Sequence, residues 1–186
     1  MRHEGESAVQ GNTPSGPEIW LRGPVTTPEQ SAPAPPVAEV PSTAHRLAWV
    51  AAHGGAGTST LAAVFGGIDA GRNWPRPDQG EPNSILLAAR THAAGLQAVS
   101  WTLDLFRRDD QPPGLKLAAV VLVADAPGRL PRQLLQRIKV IGSAIEVHRV
   151  PWVPAWRTGD LTVPAPRETE ALARLLAEAP RPPERP

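Results

Sequence analysis

Residues 116–125 read KLAAVVLVAD. A run so nearly continuous in Val, Leu and Ala has no polar face to offer to water. As a strand it must be covered on both sides, which is the condition of a strand inside a parallel sheet with helices on each face. Two further segments have the same character: RLAWVAA at 46–52 and SILLAAR at Ser84–Arg90. A fourth strand is expected in IEVHRVPW, at Ile145–Trp152.

Segments of helical period lie between them. Thr91 is suited to cap a helix, along which Leu96, Val99, Leu103 and Phe106 recur at three- and four-residue spacing. Pro131 suits the first turn of the next helix, and Leu130, Leu134, Ile138 and Ile141 make its apolar stripe. A short helix is expected over 59–65, and a last one over 167–178 with Leu172, Leu175 and Leu176 inward. This alternation predicts an α/β fold: a small three-layer domain over 45–179, with a mostly parallel sheet of about four strands and right-handed crossovers. The stretch Gly66–Asn83 reads as a long Gly/Pro/Asp connection of the kind that covers or lines sites, and VPAWRTGDLTVPAP (153–166) as irregular.

Composition sets the flanks and the exclusions. Residues 1–44 are rich in Pro, Ser, Thr, Gly and Glu, and such a segment cannot bury enough apolar surface to offset its ordering entropy. A disordered tail is therefore expected there, and a frayed end over 180–186. Within the tail EIWLRGP (18–24) gathers Ile19, Trp20 and Leu21, either a chance cluster or a short anchor for this domain or a partner. There is no cysteine, so disulfides and thiolate metal sites are excluded. The five histidines lack a ligand-like spacing, and zinc is not expected. The N-terminus has no apolar signal core, and the longest apolar run, Leu117–Ala124, is too short to span a bilayer; a cytoplasmic protein with no membrane partner is expected. The net charge of +1 is no signature of nucleic-acid binding.

The chemistry sits after the first strand, in His53-Gly54-Gly55-Ala56-Gly57-Thr58-Ser59-Thr60. Consecutive backbone N–H groups before a helix form an anion cradle, and glycine lets a phosphate approach the turn closely. The stretch resembles the deviant Walker A motif of ParA/MinD-type ATPases, K-G-G-x-G-K-[ST]-[ST], and a P-loop-like domain binding ATP and magnesium is what the resemblance implies. Three glycines fall in register, Ser59 matches the magnesium-binding hydroxyl, and Thr60-Leu61-Ala62 matches the continuation. His53 stands where the signature lysine would be, and Thr58 where a lysine would reach the β- and γ-phosphates. Without that point charge, efficient ATP hydrolysis is not expected. VVLVADAP (120–127) is similar to a Walker B strand followed by Asp-x-Pro, which would make Asp125 a magnesium residue; the alternative is a carboxylate that turns the chain.

Arg90 ends the second strand on the presumed ligand side, followed by His92. It could supply the charge Thr58 lacks, or pair with Asp125 in an empty site. In PWVPAWR (151–157), Trp152, Trp156 and Arg157 offer either adenine stacking and partner contact or plain packing, with Trp152 closing the core. Arg129, Arg132, Gln136 and Lys139 share a helix face, either solvated or facing nucleic acid.

WVAAHGGAGTSTLA, LLAARTHAAGLQA, VVLVADAPGRLPRQL and VPWVPAWR also resemble a small uncharacterised family of high-GC Gram-positive bacteria, found near plasmid-like and integrative conjugative elements. The function expected is a degenerate P-loop domain with weak or absent nucleotide binding, acting as an interaction or regulatory module with a protein partner, in the setting of a mobile element. The alternatives are a working ATPase in partitioning or conjugal transfer with Arg90 in place of the lysine, and a basic nucleic-acid adaptor.

Overall fold

The computed structural model describes residues 47–178. The expected tail over 1–44, its 18–24 motif and the end at 180–186 lie outside the described residues. Five strands form one sheet in the order β2-β1-β3-β4-β5, all parallel. They are β1 Leu47–Ala51, β2 Ile68–Asp69, β3 Ser84–Arg90, β4 Lys116–Val123 and β5 Val147–Val150. The helices are α1 Thr58–Phe65, α2 Ala93–Arg107, α3 Arg132–Gly142, a four-residue turn α4 Pro154–Arg157, and α5 Glu170–Glu178.

Side chains alternate across the strands and divide the core in two. Leu47, Trp49, Leu86, Ala88, Ala119, Val121 and Val123 face the side covered by α1 (through Leu61) and α5 (through Leu172 and Leu176). Ala48, Val50, Ile85, Leu87, Ala89, Val120 and Leu122 face α2 and α3, which contribute Leu96, Val99, Leu103 and Ile141. With both faces of β1, β3 and β4 buried along their middles, polar residues are confined to the strand ends, at Ser84, Arg90 and Lys116, which explains the continuous apolar sequence between.

The fold is the expected α/β layering with one more strand. β2 lies inside the stretch read as a connection; both its residues are exposed, so it has no hydrophobic signature, and only its pairing of Ala48 with Ile68 and Trp49 with Asp69 makes it a strand. The helix after β3 begins one residue later than expected. His92 is its N-cap, its Nδ1 accepting from the Gly95 N–H at 2.9 Å, while the Thr91 hydroxyl accepts from the Asp125 N–H instead. Pro131 is likewise the N-cap of α3 and not a first-turn residue. The segment read as irregular holds α4, and β5 is shorter than its apolar run.

The strand order determines where a site can form. Chain direction across the sheet reverses between β1 and β3, and in open α/β sheets the crevice for ligands opens at such a switch, beyond the C-terminal strand ends. The Gly-rich turn after β1 and the Thr91–His92 turn between β3 and α2 flank it.

Candidate functional site

The loop from Ala52 to Gly57 is a backbone device. The Ala52 N–H donates to the Ala88 carbonyl at 2.9 Å, and the Ala56 N–H to the His53 carbonyl at 3.3 Å. Gly55 (φ 75°) and Gly57 (φ 100°) lie in the left-handed region, where a Cβ is strained. Gly54 lies outside that region, with open space where a Cβ would go. Gly57 is the N-cap of α1 and carries no side chain to cap it, so the first N–H groups of the helix have no side-chain acceptor.

Thr58 is buried against the protein. Ser59 is exposed and donates to Asp69 Oδ2 at 2.5 Å, while the Gly71 N–H donates to Oδ1 at 2.9 Å. Burial pushes the Asp69 carboxyl up, but the hydrogen bonds from Ser59, Gly71 and Thr58 outweigh it and hold its pKa below the ordinary carboxylate value. A depressed pKa contributes stability above the unfolded-state value of about 4, and the contribution is lost as pH falls through the folded-state value. Asp69→Asn is therefore expected to destabilise the domain slightly at neutral pH, with the gap from wild type closing below about pH 4 in urea midpoints. The effect is small because Asp69 is exposed and water screens it.

Across the switch point, β3 delivers Arg90 into the loop. Its Nε donates to the Gly55 carbonyl at 3.1 Å and its Nη1 to the Ala124 carbonyl at 3.1 Å. Its Nη2 lies 3.3 Å from where a Cβ on Gly57 would be. The Arg90 backbone N–H donates to His53 Nε2 at 3.0 Å. An accepting Nε2 carries no proton, so the ring proton is on Nδ1, which donates to the Gly54 carbonyl at 2.8 Å. His53 is thus a neutral strut between two strand ends. The His92 ring lies beside it, tilted by 52° with ring centroids 5.0 Å apart.

The third wall comes from the segment after β5. Trp152, Trp156 and Arg157 line a crevice together with Gly57, Thr60 and Arg90. Arg157 lies over the Trp152 ring, 4.3 Å from its centroid, and its Nη2 donates to the Asp125 carbonyl at 3.4 Å. Trp156 meets Phe65 edge-on at 6.2 Å and packs on the α1 side of the core. The core contact expected of Trp152 belongs to Trp156. The crevice encloses about 30 Å³. Burial and the neighbouring Arg157 charge lower the Arg90 pKa, and Asp125 partly offsets them.

The loop residues His53–Thr60, Arg90, Trp156 and Arg157 thus come together at one end of the sheet. Ser59 turns to Asp69, while Asp125, after β4, is separated from β1 by β3. The Arg132, Gln136 and Lys139 face of α3 is exposed, as is Arg129 before it. No group of three or more acidic, His or Cys residues suited to a metal occurs among the described residues. Nor, among them, is any helix long and apolar enough to cross a membrane.

Sequence reasoning missed two residues of this site. Asp69 lies in a strand without an apolar pattern. Gly95, in the first turn of α2, lies so close beneath Arg90 that a Cβ would run into the Arg90 carbonyl oxygen and stand 3.0 Å from His53 Nε2. A glycine in the first turn of an otherwise well-patterned helix was the available signal.

The profile of a family of unknown function, DUF6668, matches residues 45–173. No curated protein and no solved structure matches the chain.

Proposed function

We propose that this chain, which belongs to the family of unknown function DUF6668, keeps the frame of a ParA/MinD-type phosphate loop and has lost its nucleotide chemistry. It works in the cytoplasm as an interaction or regulatory module with a protein partner, in the setting of a mobile genetic element. The observation that carries this reading is the Arg90 guanidinium, tied to the Gly55 and Ala124 carbonyls inside the turn. A positive charge is thereby supplied from within the fold, and a loop carbonyl points at it where a phosphate would need N–H groups. The crevice of about 30 Å³ compares with the roughly 300 Å³ or more of ordinary small-molecule sites.

Calorimetric titration of the full chain with ATP, with and without magnesium, tests this. The expected result is no binding tighter than about 1 mM, and no phosphate release. Micromolar binding with steady turnover would overturn the reading.

One observation favours the working ATPase: Arg90 does reach the loop from which the lysine is missing. Two of its three nitrogens are already engaged by carbonyls, which limits what it can give to a γ-phosphate. If Arg90→Ala abolished a measurable hydrolysis, this second reading would replace the first.

A further inference from the structure

The crevice beside the loop is lined by Gly57, Thr60, Leu61, Arg90, Val123, Ala124 and residues 151–153, 156 and 157, with no carboxylate among them. Two guanidinium groups stand there, anchored on successive carbonyls, Arg90 on Ala124 and Arg157 on Asp125. Neither makes an ion pair within 4.0 Å among the described residues. The Asp125 side chain is exposed and touches neither of them that closely.

Arg90 Nη2 has no protein acceptor among the described residues, since only Nε and Nη1 are engaged. Leaving a guanidinium N–H without a protein acceptor is one cost, relieved by a water or an ion. Two like charges held together in a half-buried crevice are a second cost, removed when an anion lies between them. Both guanidinium groups can only donate. The crevice is small, about 30 Å³, and a larger molecule would have to keep all but one compact group outside it.

We propose that this crevice binds one compact oxyanion, a single phosphate group, held by Arg90 Nη2 and the Arg157 guanidinium. The proposal rests on the preceding reading of the loop as a frame without nucleotide chemistry, and it names the ligand class that frame retains. The phosphate can be free in solution or the last group of a longer molecule. Both sources offer the same chemistry to the arginines, and only the second would add contacts outside the crevice.

The test is calorimetric titration of the full chain at low ionic strength with inorganic phosphate and, separately, with ATP. Saturable phosphate binding that weakens with added salt is expected. Arg157→Gln, at an exposed side chain, should weaken it about tenfold, the value of one charge-assisted hydrogen bond, with an unchanged thermal melt. No saturable phosphate binding, or equal binding by wild type and Arg157→Gln, would overturn the proposal. ATP binding at micromolar concentration together with phosphate binding that Arg157→Gln abolishes would overturn the degenerate reading and leave the oxyanion site standing. Tight ATP binding with no saturable phosphate binding would sink the site.

Discussion

Gly95→Ala should cost about 3 kcal/mol, although alanine at an ordinary helical position gains about 1 kcal/mol over glycine. The reversal of sign comes from what stands above the residue. A Cβ there meets the Arg90 backbone carbonyl and His53 Nε2. A carbonyl in the end of a central strand cannot retreat as a flexible side chain would. To relieve the clash, α2 must move off the sheet, and His92 then loses the Gly95 N–H that it caps. The His53–Arg90 hydrogen bond, 3.0 Å long, lies directly in the path of the new methyl group. Urea denaturation of Gly95→Ala beside Gly54→Ala makes the test pointed. Gly54 belongs to the loop motif, yet it has open space around it and no left-handed φ, so its substitution should stay within about 0.5 kcal/mol of wild type. Equal stability of the two variants would show that the approach of α2 to β3 is not tight.

Trp49→Ala should be the most damaging single substitution, at about 3–5 kcal/mol. The side chain is fully buried at 0 % exposure, at the centre of the layer under α1 and α5. Its indole N–H donates to the Gly66 carbonyl at 2.7 Å, fastening the last turn of α1 to β1. Its ring lies 6.4 Å from Phe65, which in turn meets Trp156 in the crevice wall. Deletion therefore leaves a cavity and orphans a helix-end carbonyl. Trp49→Phe separates the two effects: it keeps much of the packing, loses the hydrogen bond, and should cost roughly half as much as alanine. Chemical denaturation followed by circular dichroism checks both, and a loss below 1 kcal/mol for alanine would contradict the role given to Trp49.

Much of the architecture was legible because burial writes a local pattern. β1, β3 and β4 are apolar on both faces, and α2 shows its inward stripe at Leu96, Val99 and Leu103. The loop was legible for a different reason. Left-handed φ at Gly55 and Gly57 is a demand of the backbone itself, so their glycines stand in the sequence whatever the loop now binds. β2 was not legible, since two exposed residues become a strand only by lying beside β1.

The sequence by itself determined the three-layer α/β class, the place of the Gly-rich turn between a buried strand and a helix, and the absence of both lysines from it. Only the tertiary structure decided what stands opposite that turn. Arg90 is 35 residues from Gly55 in the chain, and Arg157 is 32 from Asp125; the first pair meets because β3 lies beside β1, the second because β5 lies beside β4. Strand order depends on which apolar faces find each other over long range, and neighbouring residues hold no record of that choice. The same order makes His53 a neutral strut and Gly95 indispensable. It also leaves two guanidinium groups in one crevice without a carboxylate to hold them.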